Sequence, residues 1–208
     1  MTERTGWPGL LVAIEGPGGV GKSTVTAAVA QMLTEQGVPV LATREPTDTP
    51  LGDLARYGTQ EYRGTAMACL IAAGRYQHAQ EIQPALDRGE VVICGRYIAS
   101  SLALQCMDGV DRDFVWLLNE GVIQPDLTVI LSAPPEVIES RLAARGAHSR
   151  YEMQEDGSRI ELAYFAEAGR YLRAQGARVL DVDATPGSPR EVASPIVAAI
   201  TCFMKDPR

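Results

Sequence analysis

The chain has 208 residues, 46% of them hydrophobic and 22% charged, with a formal net charge of −7 and a pI of about 4.9. That balance excludes a disordered chain, and without a block of Lys and Arg it also excludes a groove that neutralises many nucleic-acid phosphates. No apolar run approaches the ~18 residues of a membrane span. The opening MTERTGWPG lacks a basic-then-apolar leader, so the expectation is a cytoplasmic protein.

In chain order, LLVAIE (10–15) reads as a first strand, followed by GPGGVGKS (16–23) and a helical pattern over 23–37 that closes on Gly37. VPVLAT (38–43), VVIC (91–94), LTVIL (127–131) and RVLDV (178–182) read as four further strands. The intervening segments are too long for hairpins and carry apolar residues at helical spacing, as in PPEVIESRLAARG (134–146). Alternation of this kind predicts an α/β protein, a five-stranded parallel sheet with helices on both faces in a three-layer sandwich. No linker or repeat interrupts it, so residues 1–208 are expected to form one domain. The polar, glycine-flanked stretch 144–157, which holds Arg145 and Arg150, reads as a mobile flap over a site.

Cys69, Cys94, Cys106 and Cys202 show no CxxC pairing and read as reduced, buried thiols. His78 is expected on a helix face and His148 in a loop, neither with a metal or triad role.

GPGGVGKS fits G-x-x-x-x-G-K-[ST] between a strand and a helix, the context in which that pattern binds a nucleotide triphosphate. Gly16, Gly18, Gly19 and Gly21 let backbone N–H groups turn toward a phosphate chain at the positive end of the helix. Lys22 is expected at the β and γ phosphates and Ser23 at the metal, with Thr24 completing the nucleotide-binding set. The loop alone leaves a kinase, a nucleotide-driven switch and a transporter ATPase open.

Beyond the loop, the chain carries IEGPGGVGKST (14–24), TREPTDTPLGDLAR (43–56), AAGRYQH (72–78), GRYIASSLALQ (95–105), QPDLTVIL (124–131), RLAARG (141–146) and RYE (150–152). In these segments it resembles the thymidylate kinase family of nucleoside monophosphate kinases, over nearly all of the chain from Leu10 to Ile200. The resemblance implies a P-loop NTPase fold and transfer of the γ-phosphoryl of ATP, with Mg2+, to a small phosphorylated acceptor, in a homodimer. It implies that Arg44 and Arg96 hold the acceptor phosphate, where planar guanidinium groups offer paired donors of fixed charge. It also implies that Arg75 contacts the base, with Glu45, Ser101 and Gln105 beside it. Since the phosphate loop has no Arg, the flap is expected to supply the catalytic cation, from Arg150 first and Arg145 second, working with Lys22 and Arg96.

Four positions depart from the family pattern, all at the acceptor end. Gly95 replaces the Asp of the Asp-Arg-Tyr signature, and Gly18 stands where the loop usually has a carboxylate. Ile71 stands where a Phe stacks on the base, and Leu104 replaces a Tyr near the sugar. Loss of a stacking ring costs roughly 1–3 kcal/mol. An ordinary thymidylate kinase, a kinase for a modified nucleotide, ribonucleotide or phosphonate, and a non-catalytic nucleotide-binding protein therefore remain distinct expectations.

Overall fold

In the computed structural model, which describes residues 9–146, 149–185 and 187–205, Leu10–Glu15 form β1 at the centre of the sheet. Its side chains alternate between two cores. Leu10, Val12 and Ile14 pack with α1 (Lys22–Glu35) and α8 (Pro189–Lys205), while Leu11 and Ala13 face the opposite cluster. A strand apolar on both faces needs helices on both sides, and that is what covers it.

The remaining strands are β2 (Val40–Arg44), β3 (Val91–Gly95), β4 (Leu127–Ser132) and β5 (Val179–Asp183). They run parallel in the order β2-β3-β1-β4-β5. β2 starts at Val40, two residues later than the hydrophobic run predicts. Pro39 has no N–H to give to the ladder, and only its carbonyl pairs, with Val91 N–H. The remaining helices are α2 (Pro50–Tyr57), α3 (Gly64–Asp87), α4 (Ile98–Met107), α5 (Arg112–Asn119), α6 (Pro135–Arg145) and α7 (Gly157–Ala174), with a 3-10 turn at Gly58–Gln60. α4 and α7 carry Ile98, Leu102, Phe165 and Leu172 into the second core.

From β1 the chain crosses β3 to reach β2, and from β3 it crosses β1 to reach β4. The strand order reverses at β1 and β3, and in such sheets ligands bind beyond the carboxyl ends of those strands. Among the described residues, no helix is long and apolar enough to cross a membrane.

The cysteine expectation needs correction. Cys94 is buried, but Cys106 is half-buried and Cys69 and Cys202 are exposed, because α3 and α8 turn those two positions outward. His148 lies outside the described residues.

Candidate active site

β1 ends at Glu15, and the chain turns through residues 16–21 into α1. Gly19 has φ 76°, and a Cβ there would lie 2.8 Å from Leu142 Cγ; Gly21, at φ 109°, occupies the N-cap. Neither conformation suits an L side chain. No side chain caps α1 and no acid lies in its first turn, so its N-terminal amides and positive end are left for an anion. Lys22 Nζ folds onto the loop, donating to the carbonyls of Gly16 and Pro17 at 2.8 and 2.6 Å. Burial, and then the nearby Arg96 guanidinium, hold its pKa well below the ordinary lysine value.

The turn after β3 is built on Glu15. This buried carboxylate accepts from Tyr97 N–H at 2.8 Å and Ser100 Oγ at 2.6 Å, while Arg96 N–H donates to Ile14 O at 2.9 Å. Between those anchors Arg96 takes φ 69°, a left-handed conformation uncommon outside glycine. Such conformations persist where the surroundings over-determine them. Arg96 Nη1 is buried and has no hydrogen-bond partner among the described residues.

A cavity of about 1020 Å³ opens beyond these turns. Its walls include Lys22, Ser23, Arg44, Glu45, Ile71, Arg75, Gly95, Arg96, Ser101, Leu104, Gln105 and Arg145. The structure thus brings together most of the site residues expected from the sequence, drawn from α1, β2, α3, the turn after β3, α4 and α6. Gly16, Gly18, Gly19, Gly21, Thr24 and Arg150 do not line it.

Arg75 is 1% exposed and is engaged through its whole guanidinium group. Nε and Nη2 both reach Glu45 Oε2 at 2.8 Å, Nη1 donates to Ser101 Oγ at 3.1 Å and Asn119 Oδ1 at 2.5 Å, and Nη2 donates to Tyr97 O at 2.9 Å. His78 bridges Glu45 Oε1 and Thr43 Oγ1 at 3.1 and 2.9 Å. Cys94 lies close enough to Glu45 and His78 to resemble a ligand set. Burial pushes its thiol up, however, and the S–H donates to Arg96 O, so this cluster is a hydrogen-bonded wall. Arg44 is exposed and rests on Asp48, with Nη2 at 2.9 and 3.1 Å from the two carboxylate oxygens.

The segment after α6 brings two carboxylates to the phosphate loop. A Cβ on Gly18 would lie 2.3–2.7 Å from Oε1, Cγ and Cδ of Glu152, and Gly18 N–H donates to Glu161 Oε2 at 2.8 Å. Burial raises the pKa of Glu161. Arg145 Nη2 donates to Glu152 Oε2 at 2.8 Å. Arg150 is held elsewhere, paired through both terminal nitrogens with Asp108 at the end of α4 and lying 4.2 Å over the Tyr151 ring.

The family model described as thymidylate kinase matches residues 14–194. The chain belongs to the thymidylate kinase family. It is 37% identical over 195 residues to the "Probable thymidylate kinase" of Pyrobaculum aerophilum, covering 91% of this chain and 95% of that protein. Identity to the "Thymidylate kinase" of Thermomicrobium roseum is 37% over 205 residues, covering 93% and 95%. With that of Pseudomonas savastanoi pv. phaseolicola it is 41% over 156 residues, covering 70% and 74%. The fold is that of a P-loop nucleotide kinase, and the family resemblance read from the sequence is borne out.

Within this thymidylate kinase framework, Glu15, Asn119, Asp108 and Glu161 are site-building residues that the sequence reading did not single out. Glu15 alone left a signal, an acid directly before the glycines of the loop. Ser23 stands exposed on the cavity wall, with Glu152 and Glu161 beside Gly18. Oxygen donors of this kind suit a magnesium ion that keeps several of its waters.

Proposed function

We propose that the chain transfers the γ-phosphoryl group of ATP to thymidine monophosphate. The observation that carries this reading is that Lys22 and Ser23 of the phosphate loop share one cavity with Arg44 and Arg96 and with the apolar side chains of Ile71 and Leu104. A protein that only bound ATP would need no second pair of arginines at the far side of the triphosphate.

The loop amides and Lys22 hold the donor, and Arg44 and Arg96 fix the acceptor phosphate, so that the reacting groups meet in line. Arg44 gives up Asp48 for the phosphate. Arg96 already presents an unpartnered Nη1. Gln105 is buried with Oε1 unpaired among the described residues, an acceptor suited to the imide N–H of thymine, while Ile71 and Leu104 enclose the ring without stacking on it. Arg75, with its donors engaged by protein, positions Ser101 and Glu45 rather than reading the base directly. Arg145 faces the cavity and is the flap cation best placed to spread charge from the transferring group. Arg150 fastens the flap to α4. Magnesium, when bound, neutralises the triphosphate, with Ser23 the side chain that would hold it.

ADP release with ATP and magnesium, measured across thymidine, deoxyuridine, cytidine, uridine, adenosine and guanosine monophosphates in ribo and deoxy forms, tests this. Thymidine monophosphate is expected to be the fastest acceptor. Faster turnover of another monophosphate would overturn the acceptor assignment, and ATP binding without turnover of any would overturn the kinase.

A further inference from the structure

Thr26 lies on α1 one turn beyond Ser23, on the same face of the helix, and lines the cavity. It is 8% exposed, and its hydroxyl is buried without a hydrogen-bond partner among the described residues. A threonine inside a helix usually avoids that state by bonding the carbonyl four residues back. Thr34 in the same helix does so with Ala30 O at 2.8 Å, and Thr201 in α8 with Val197 O at 2.8 Å. Thr26 leaves the equivalent carbonyl alone. An orphaned buried hydroxyl destabilises the protein by itself, which calls for a partner that is not part of the chain.

The surroundings identify the kind of partner. The space above Gly95 borders this hydroxyl, since a Cβ there would lie 3.6 Å from Thr26 Oγ1 and 3.8 Å from Arg44 Cβ. Arg96, the next residue, holds its own unpartnered Nη1. Thr26 and Arg96 thus bring two unsatisfied donors to the walls of one cavity, and both suit an anionic oxygen.

We propose that Thr26 is an acceptor-binding residue whose hydroxyl donates to an oxygen of the acceptor's phosphoryl group, in the space left open by Gly95. This rests on the kinase reading above, and it gives a phosphoryl oxygen the space that a carboxylate at position 95 would close to an anion. It does not depend on which base the acceptor carries.

Calorimetric titrations of the wild type, Thr26→Val and Thr26→Ser with each monophosphate of the panel and its parent nucleoside, without ATP or metal, test it. Thr26→Val is expected to weaken the best-bound monophosphate about tenfold, as for one hydrogen bond to a charged group. The parent nucleoside should be unaffected and Thr26→Ser should stay close to wild type. The melting temperature of Thr26→Val should match or exceed that of the wild type, because the methyl group removes a buried unpaired hydroxyl. Unchanged monophosphate affinity, an equal loss with the nucleoside, or a wild type that binds no monophosphate would each overturn the proposal. So would a loss confined to magnesium ATP in a parallel titration, which would assign the hydroxyl to the metal's water shell. If the best-bound monophosphate is not thymidine monophosphate but Thr26→Val still weakens it, the acceptor assignment fails while the role of Thr26 stands.

Discussion

A Cβ at Gly95 would meet nothing closer than 3.6 Å, and its backbone is not in the left-handed region. Gly95→Ala is therefore expected to leave the melting temperature unchanged or raise it slightly. At Gly18 the same change drives a methyl into Glu152, which must swing away and release Arg145. For Gly18→Ala, stability should hold while limited proteolysis cuts the 144–157 segment faster than in the wild type; an unaltered cleavage rate would show that Glu152 does not fix the flap. Lys22 provides a test through pH. Its folded pKa lies below the unfolded value of 10.5, so the unfolded chain binds more protons between those values and stability rises with pH across that window. Nucleotide phosphates favour the charged ammonium, so ATP binding within that window should take up a proton. Binding heats that do not vary with the ionisation enthalpy of the buffer would contradict this.

At the level of elements, the segment between α6 and α7 is tied to α4 by Arg150 and Tyr151, both bonded to Asp108. If the three act as one latch, Arg150→Ala and Asp108→Ala should lower kcat to a similar extent, and the double variant no further than the larger single effect. Additive losses would mean that Arg150 leaves Asp108 to act on the reacting phosphate. Arg145→Ala, which removes the cavity-facing cation, should cut kcat about 10²-fold with a smaller change in acceptor KM. The sequence made the existence of α6, α7 and the polar segment legible through periodicity and glycines. It could not show which arginine faced inward, because that depends on how the end of α6 aims Arg145 and on whether an acid from another helix, here Asp108, meets Arg150.

For the whole molecule, α1, β2, α3, α4 and α6 all contribute walls to the cavity, so ligand binding should stabilise the fold as a unit. ATP with magnesium at about 100 times its Kd should add about 2.7 kcal/mol to the free energy of unfolding, and Lys22→Ala should abolish most of that gain. Equal stabilisation of the variant in a thermal melt would remove Lys22 from the donor site. The apolar runs and their spacing determined the parallel α/β sheet, because strands buried on both faces, as β1, β3 and β4 are, show as nearly unbroken apolar runs whatever their neighbours are. The glycine loop ending in Lys22 and Ser23 likewise announced its own geometry, since its residues are contiguous. Contacts between distant segments were decided only by the tertiary structure. The engagement of Arg75 by Glu45, Ser101 and Asn119, the capture of Arg150 by Asp108, the seat of Glu152 above Gly18 and the unpaired hydroxyl of Thr26 all depend on such meetings. Each depends on which side chains meet from distant parts of the chain, and a hydrogen bond between residues 26 to 143 positions apart leaves no periodic trace in the sequence.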